Sequence, residues 1–255
     1  MHLTTNALVL REVNYKESDK ILTLLTEQEG KLTVSARGCR KKGSHIASAC
    51  QMLAWGEFTL YEFNGLWSVK ETASERLFDG VRSDLERVAL ASYFAEVTEA
   101  LSEEGQPEPG LLAVTLNCLH ALDKLHLPLN QVKAAFEWRS MALAGYEPQI
   151  EHCGVCGRPE PQEPQIHLGE GMVHCSACRD RLGGGVSMPL STAALAALRH
   201  ITWGPRKRLL SFRLDEEGLK RLSDASEAYV MTRLERGFRT LDFYKKITYK
   251  PTFEN

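Results

Sequence analysis

The chain has 255 residues, of which 43% are hydrophobic and 25% charged, and its formal net charge is −2. That length suits one large domain or two to three small ones, and the composition excludes a mainly disordered chain, a collagen-like chain and a coiled-coil rod. The charge is unevenly spread: residues 1–80 balance, residues 83–150 carry −6 and residues 151–255 carry +3, which excludes a uniformly basic nucleic-acid binder and leaves a local basic patch open.

Residues 6–72 read as strands. Ala7 to Val13 is apolar-rich and precedes a polar stretch, Asn14 to Asp19. Ile21, Leu22, Leu24 and Leu25 follow, and Glu29-Gly30 is a turn signal. Lys31-Leu32-Thr33-Val34-Ser35 alternates polar and apolar, as a half-buried strand should. Arg37 to Ser44 reads as a loop. Glu57 to Phe63 and Leu66 to Val69 flank Asn64-Gly65, a strong hairpin signal because both turn residues tolerate positive φ. Five short strands in this span suit a small closed barrel such as the OB-fold, although an open two-layer sheet satisfies the same pattern.

After Phe78 the period becomes helical. Ser83-Asp84-Leu85-Glu86 fits a capping box with Ser83 as N-cap, and Leu90, Phe94, Val97 and Leu101 follow at helical spacing. Gly105, Pro107 and Pro109 end that helix. A second is expected over Leu111 to Leu125, broken by Pro128, and a third carries Val132, Phe136, Met141 and Leu143 before Gly145. Such helices are marginal alone and must pack together. Ser191 to His200 reads as helical, and Asp215 as the cap of a helix from Glu216 to Arg236. Phe238 to Asn255 shows no clear period. The longest apolar run, Ala193 to Leu198, is far short of the about 20 residues a membrane helix needs. The start lacks a basic region, and Arg11 and Glu12 interrupt its first apolar stretch, so the chain is expected to be cytoplasmic.

The expected class is therefore α+β. An N-terminal five-stranded OB-fold barrel over residues 1–80 precedes a helical domain over 81–150 and 186–245. A cysteine module over 151–185 is embedded in that domain, and a tail covers 246–255.

The strongest motif is Cys153-Gly-Val-Cys156 followed by Cys175-Ser-Ala-Cys178. Two such knuckles at this separation are a zinc-ribbon-like signature. Zinc prefers four tetrahedral ligands, and a two-residue gap lets one tight turn aim two sulfurs at one ion. Gly154 and Gly157 supply the backbone freedom that turn requires. Disulfides do not suit a cytosolic chain. His152, His167 and His174 lie close, but four cysteines already satisfy the ion. A closed four-sulfur site leaves no position for water, so one structural Zn²⁺ is expected, contributing about 10–16 kcal/mol of apparent binding energy. A zinc deaminase would need His-x-Glu and Pro-Cys-x-x-Cys, and neither occurs. Cys39, Cys50 and Cys118 read as core or loop thiols.

Arg37, Arg40, Lys41 and Lys42 put four positive charges in six residues, with Lys31 on the strand before. Loop cations and backbone amides suit phosphate contacts, although a solvated loop has the same composition. The setting favours the first reading, because a small barrel displaying aromatics and cations is a recurrent single-strand surface. Trp55, Phe58, Tyr61, Phe63 and Trp67 cluster within thirteen residues, some to fill the barrel and the rest free to stack. Arg206-Lys207-Arg208 follows Gly204-Pro205 and either extends the phosphate path or solvates a turn. There is no phosphate-binding Gly-rich loop with Lys-Ser/Thr, no Gly-x-Gly-x-x-Gly and no Gly-x-Ser-x-Gly, and Glu103-Glu104 and Glu216-Glu217 fall at helix ends. The chain offers binding surfaces and no enzyme site.

The segments Ala7 to Arg11, Tyr15 to Thr26 and Gly30 to Lys42, followed by helices and a four-cysteine module, resemble the bacterial RecO family of recombination mediators. The resemblance covers nearly the whole chain and implies an N-terminal OB-fold, a helical domain and an embedded zinc element. It also implies binding to single- and double-stranded DNA at the nucleoid, ATP-independent annealing, and association with RecR to help load RecA onto DNA coated by single-stranded-DNA-binding protein. By position, Lys31, Arg37, Arg40, Lys41 and Lys42 match the family's basic strand and loop. Some members dock the acidic tail of single-stranded-DNA-binding protein on the helical domain. Here that region is acidic, with only Lys133 and Arg139 on its third helix, which argues against that route.

Overall fold

A computed structural model describes residues 1–248, the side chains of Ser74 and Glu75 excepted. The end of the expected tail, residues 249–255, lies outside the described residues. In chain order the elements are β1 (His2–Tyr15), β2 (Asp19–Thr26), β3 (Gly30–Ala36), β4 (Trp55–Phe63), β5 (Leu66–Arg76), α1 (Asp79–Arg82), α2 (Leu85–Leu101), α3 (Pro109–Lys124), α4 (Leu129–Leu143), β6 (Gln165–His167), β7 (Met172–His174), β8 (Ser187–Pro189), α5 (Thr192–Trp203), α6 (Glu216–Arg233) and α7 (Arg239–Thr248). They form two compact units, one of residues 1–125 with the segment from Phe238 onward, the other of residues 126–237.

In the first unit the five strands close into a barrel of order β1-β2-β3-β5-β4, which is the OB arrangement and settles the choice against an open sheet. Closure depends on β1. Its first half pairs with β4 and its second with β2, and an irregularity between Val9 and Arg11 accompanies the bend. β3 and β5 pair in parallel and the other neighbours antiparallel. Inward-facing Val9, Leu22, Leu24, Leu32, Val34, Phe58 and Leu60 fill the interior. Asn64 and Gly65 have φ of 51° and 76°, as the hairpin signal requires. Gly30 turns β2 into β3 at φ 60°, and a Cβ there would lie 2.0 Å from the Gln106 carbonyl oxygen, so only glycine fits.

The N-cap of α2 is Asp84, not Ser83. Ser83 is taken up in closing α1, with its hydroxyl donating to Gly80 O at 3.0 Å, while extended Asp84 accepts from Arg87 N at 3.0 Å. The segment from Phe238 also departs from expectation, because it contains α7. Phe238, Leu241 and Tyr244 are buried at three-residue spacing, and Tyr93 meets Phe238 edge-on at 5.5 Å.

In the second unit α4, α5 and α6 pack together, with Trp138 and Tyr229 at 4.9 Å in the core. Asp215 caps α6 as expected, and Ser191, expected inside its helix, is instead the N-cap of α5, accepting from Ala194 N. β7, β6 and β8 form a small antiparallel sheet between α4 and α5 in sequence. Among the described residues no helix is long and apolar enough to cross a membrane.

Candidate nucleic-acid interface and metal centre

The loop leaving β3 is held at several points. Gly38 N donates to the Asp19 carboxylate at 2.8 Å, Arg40 N to Ser18 O at 3.0 Å and Lys41 N to Gly38 O at 3.0 Å. The Cys39 side chain is buried in the barrel core beneath it. Because the backbone is anchored from below, Arg37, Arg40, Lys41 and Lys42 are left exposed. Among the described residues none of the four is drawn into an ion pair; Arg40 Nη1 reaches Lys16 O at 3.3 Å. The Gly38 amide, against the desolvation of the site and with help from Ser18, Lys16 and Arg37, holds the Asp19 carboxyl below its ordinary range.

Lys31 is placed differently. It is half-buried, and its ammonium donates to Glu99 O at 3.0 Å and Ser102 O at 2.5 Å, at the C-terminal end of α2. A cation there meets the negative end of the helix dipole.

Arg37 also lines a groove of about 740 Å³ across β2, β3, β4 and β5. Its walls carry Tyr15, Tyr61, Phe63 and Trp67 with Lys16 and Lys70, and Asp19 is the one acid among its lining residues. From Phe58 onward the aromatics of β4 divide by strand parity: Phe58 points inward, while Tyr61 and Phe63, three and five residues beyond it, face the groove; Trp55 shares their parity but is buried at the start of the strand. Lys70 lies 5.1 Å from the Tyr61 ring centre and Lys16 lies 5.2 Å from that of Tyr15. Tyr15, Lys16 and Lys70 were not among the expected site residues. The alternation of β5, with Val69 in and Lys70 out, was the signal for one of them.

Arg206, Lys207 and Arg208 form an exposed single-turn helix after Pro205 in the second unit. Its backbone is tied by His200 Nε2 to Arg208 O at 2.7 Å. Lys133 and Arg139 are occupied. Lys133 is 3% exposed between Glu137 and Glu227, at 3.1 and 3.0 Å, and Arg139 donates to Ile201 O and Thr202 O.

The four cysteines converge in the second unit. Cys153 and Cys156 sit in a turn closed by Gly157 N to Cys153 O at 2.9 Å, with Gly157 at φ 72°. Gly154 N donates to Val173 O, which fastens this knuckle to β7. Cys175 follows β7 and Cys178 lies in the short 3-10 helix that comes next, Ser176–Arg181. The four Sγ atoms lie within 4.8 Å of one another, Cys156 and Cys175 at 3.9 Å. Tetrahedral zinc–thiolate bonds of about 2.3 Å put sulfurs about 3.8 Å apart, so the donor set and its spacing fit a metal ion. Burial acts to raise the Cys153 thiol, but amide donors from Cys156, Cys175 and Val155 prevail and bring it down to about 6. Burial and neighbouring sulfurs push Cys178 up to about 12, and Cys175 is raised as well. Two of the neighbouring histidines are used elsewhere: His174 bonds Cys175 O and Ser187 Oγ, and His167 Nδ1 accepts from Glu170 N. Cys39, Cys50 and Cys118 are buried, and burial pushes the Cys50 thiol up to about 12.

Residues 1–78 match the family model described as Recombination protein O N terminal, and residues 82–242 match Recombination protein O C terminal. Several curated proteins named DNA repair protein RecO align over nearly their whole length. The one from Acetivibrio thermocellus is 30% identical across 96% of this chain and 97% of its own. The one from Desulforudis audaxviator is 33% identical across 95% and 96%, and the one from Alkaliphilus metalliredigens 26% across 97% and 100%. With the two models together matching nearly all of the sequence and full-length relatives at 30% identity or more, the chain belongs to the RecO family of DNA repair proteins.

Proposed function

We propose that the chain is a non-enzymatic recombination mediator of the cytoplasm that binds single- and double-stranded DNA, anneals complementary strands without ATP, and acts with RecR to help load RecA onto DNA covered by single-stranded-DNA-binding protein. The observation that carries the DNA-binding part is the barrel face, where exposed Arg37, Arg40, Lys41 and Lys42 adjoin an aromatic groove holding Lys16 and Lys70. Cations of this kind neutralise phosphates and release counterions, and aromatic walls accept bases without regard to sequence. Lys31 serves this face by fixing β3 to α2, and Arg206, Lys207 and Arg208 provide a second cationic surface on the other unit. One Zn²⁺ held by Cys153, Cys156, Cys175 and Cys178 would supply cross-linking of the cysteine module and no reaction chemistry.

The test is an anisotropy titration of full-length protein with single-stranded DNA over a range of salt. Arg37→Ala with Arg40→Ala should weaken binding and reduce the salt slope by about 0.7 for each lost single-strand phosphate contact. Unchanged affinity at low salt would remove the loop from the interface and favour a protein-interaction scaffold.

A further inference from the structure

Phe63 and Leu66 face each other across the Asn64-Gly65 turn as the last pair of the β4–β5 hairpin. They are 64% and 75% exposed, although Phe58 and Leu60 earlier on β4 are fully buried. Large apolar side chains left uncovered at a turn are costly to solubility, and here they are held in place. Gly65 N donates to Glu62 Oε1 at 2.6 Å, and Glu62 exchanges backbone hydrogen bonds with Met1, at 2.9 and 3.0 Å. A turn with two positive-φ residues and a clamped base is stiff, so the tip is a preformed apolar edge. It stands on the rim of the groove, with Arg37, Lys16 and Lys70 on the walls and the Asp19 carboxylate turned to Gly38 N and Ser18 Oγ.

We infer that this tip is a wedge for the boundary between single- and double-stranded DNA: a single strand lies in the groove, and Phe63 and Leu66 press on the terminal base pair where it enters. The inference rests on the DNA-binding reading above. The occupant follows from charge and shape together, because the flanking cations suit phosphates and an apolar edge suits the face of an unstacked base. Phe and Leu wedges are a recurrent means of separating base steps. A mediator with such a wedge would recognise the junction at which a single strand leaves a duplex, and would hold that last pair open for exchange with an incoming strand.

The experiment uses the full chain and a duplex with a single-stranded extension, carrying at its last base pair a fluorescent adenine analogue that brightens when unstacked. Binding should brighten it, while the same analogue inside the duplex should not respond. Phe63→Ala with Leu66→Ala should abolish the brightening and cost roughly tenfold in junction affinity, with the salt slope on plain single strands preserved. Phe63→Trp should retain the response. Brightening and junction affinity unchanged in the double variant would overturn the wedge and leave the DNA-binding reading intact. Loss of the single-strand salt slope together with the brightening would also overturn it, since the tip would then be a general contact. No binding to any of these DNAs would overturn both readings.

Discussion

Lys31 and Arg37 belong to the same strand and its exit, yet their charges do different work. Lys31 closes two carbonyls at the end of α2, and hydrogen bonds from a charged donor are worth more than neutral ones. Replacing it with Met should lower stability by about 1–2 kcal/mol in urea unfolding and leave the salt slope of DNA binding unchanged. A reduced slope at full stability would return Lys31 to the interface. Arg37 has no such commitment and owes its placement to Asp19, which holds the next residue by its amide. Because the carboxyl of Asp19 is depressed by that bond, its contribution is complete above the ordinary carboxylate range and is lost as pH falls through the lowered value. The amide resonance of Gly38 should therefore titrate in acid with a midpoint below that of an unperturbed aspartate, and Asp19→Asn should abolish the titration. A midpoint at or above the ordinary value would contradict the bond. Neither role was legible locally. The spacing Arg37 to Lys42 reveals a basic loop, but the acceptors of Lys31 lie some seventy residues away in sequence, beyond the reach of any pattern.

Among the elements, those with a strong local signal were read correctly. The five strands, the Asn64-Gly65 hairpin, the cap of α6 and the two cysteine knuckles each follow from chemistry within a few residues. Where a choice depended on a neighbour, the pattern was insufficient. Ser83 and Asp84 are both good caps, and Asp84 caps α2 because the hydroxyl of Ser83 closes α1. Replacing Asp84 with Ala should cost about 1 kcal/mol in thermal or urea unfolding, and Ser83→Ala less, an order opposite to that of a capping box begun at Ser83. The short α7 was missed because only Phe238, Leu241 and Tyr244 mark its buried face, too few to establish a period. The cysteine module has a different kind of stability. The sheet of β6, β7 and β8 has three residues per strand, too few to support a core, and an ion held by the four sulfurs would supply the missing cross-link. The thiols of Cys175 and Cys178 are raised, so metal uptake by their thiolates displaces protons. The ion should therefore be retained at neutral pH and released on acidification, as followed with a chromophoric chelator. Cys156→Ser should make release easier and the module sensitive to protease. Retention of the ion in mild acid would contradict a four-thiolate site.

At the scale of the molecule, each compact unit carries its own cationic surface, the barrel loop on one and Arg206 to Arg208 on the other. Two strands that are to pair must first be brought together against the repulsion of their phosphates. Pairing itself is downhill, since stacking returns about 1.4 kcal/mol per base-pair step, so screening alone can accelerate it and no nucleotide hydrolysis is needed. If the barrel holds one strand and the Arg206 turn receives the second, the two surfaces should separate in their effects. Replacing Arg206, Lys207 and Arg208 together with Ala leaves the backbone tie from His200 to the carbonyl of residue 208 in place, so the turn should keep its form. That variant should bind a single strand within about twofold of the parent and yet anneal complementary oligonucleotides on the order of tenfold more slowly in moderate salt. The Arg37→Ala, Arg40→Ala variant should lose binding and annealing together. Stopped-flow quenching between labelled complementary strands, without ATP, measures both rates. Annealing unchanged by the triple replacement would mean that Arg206 to Arg208 only solvates its turn, and that both strands share the barrel face.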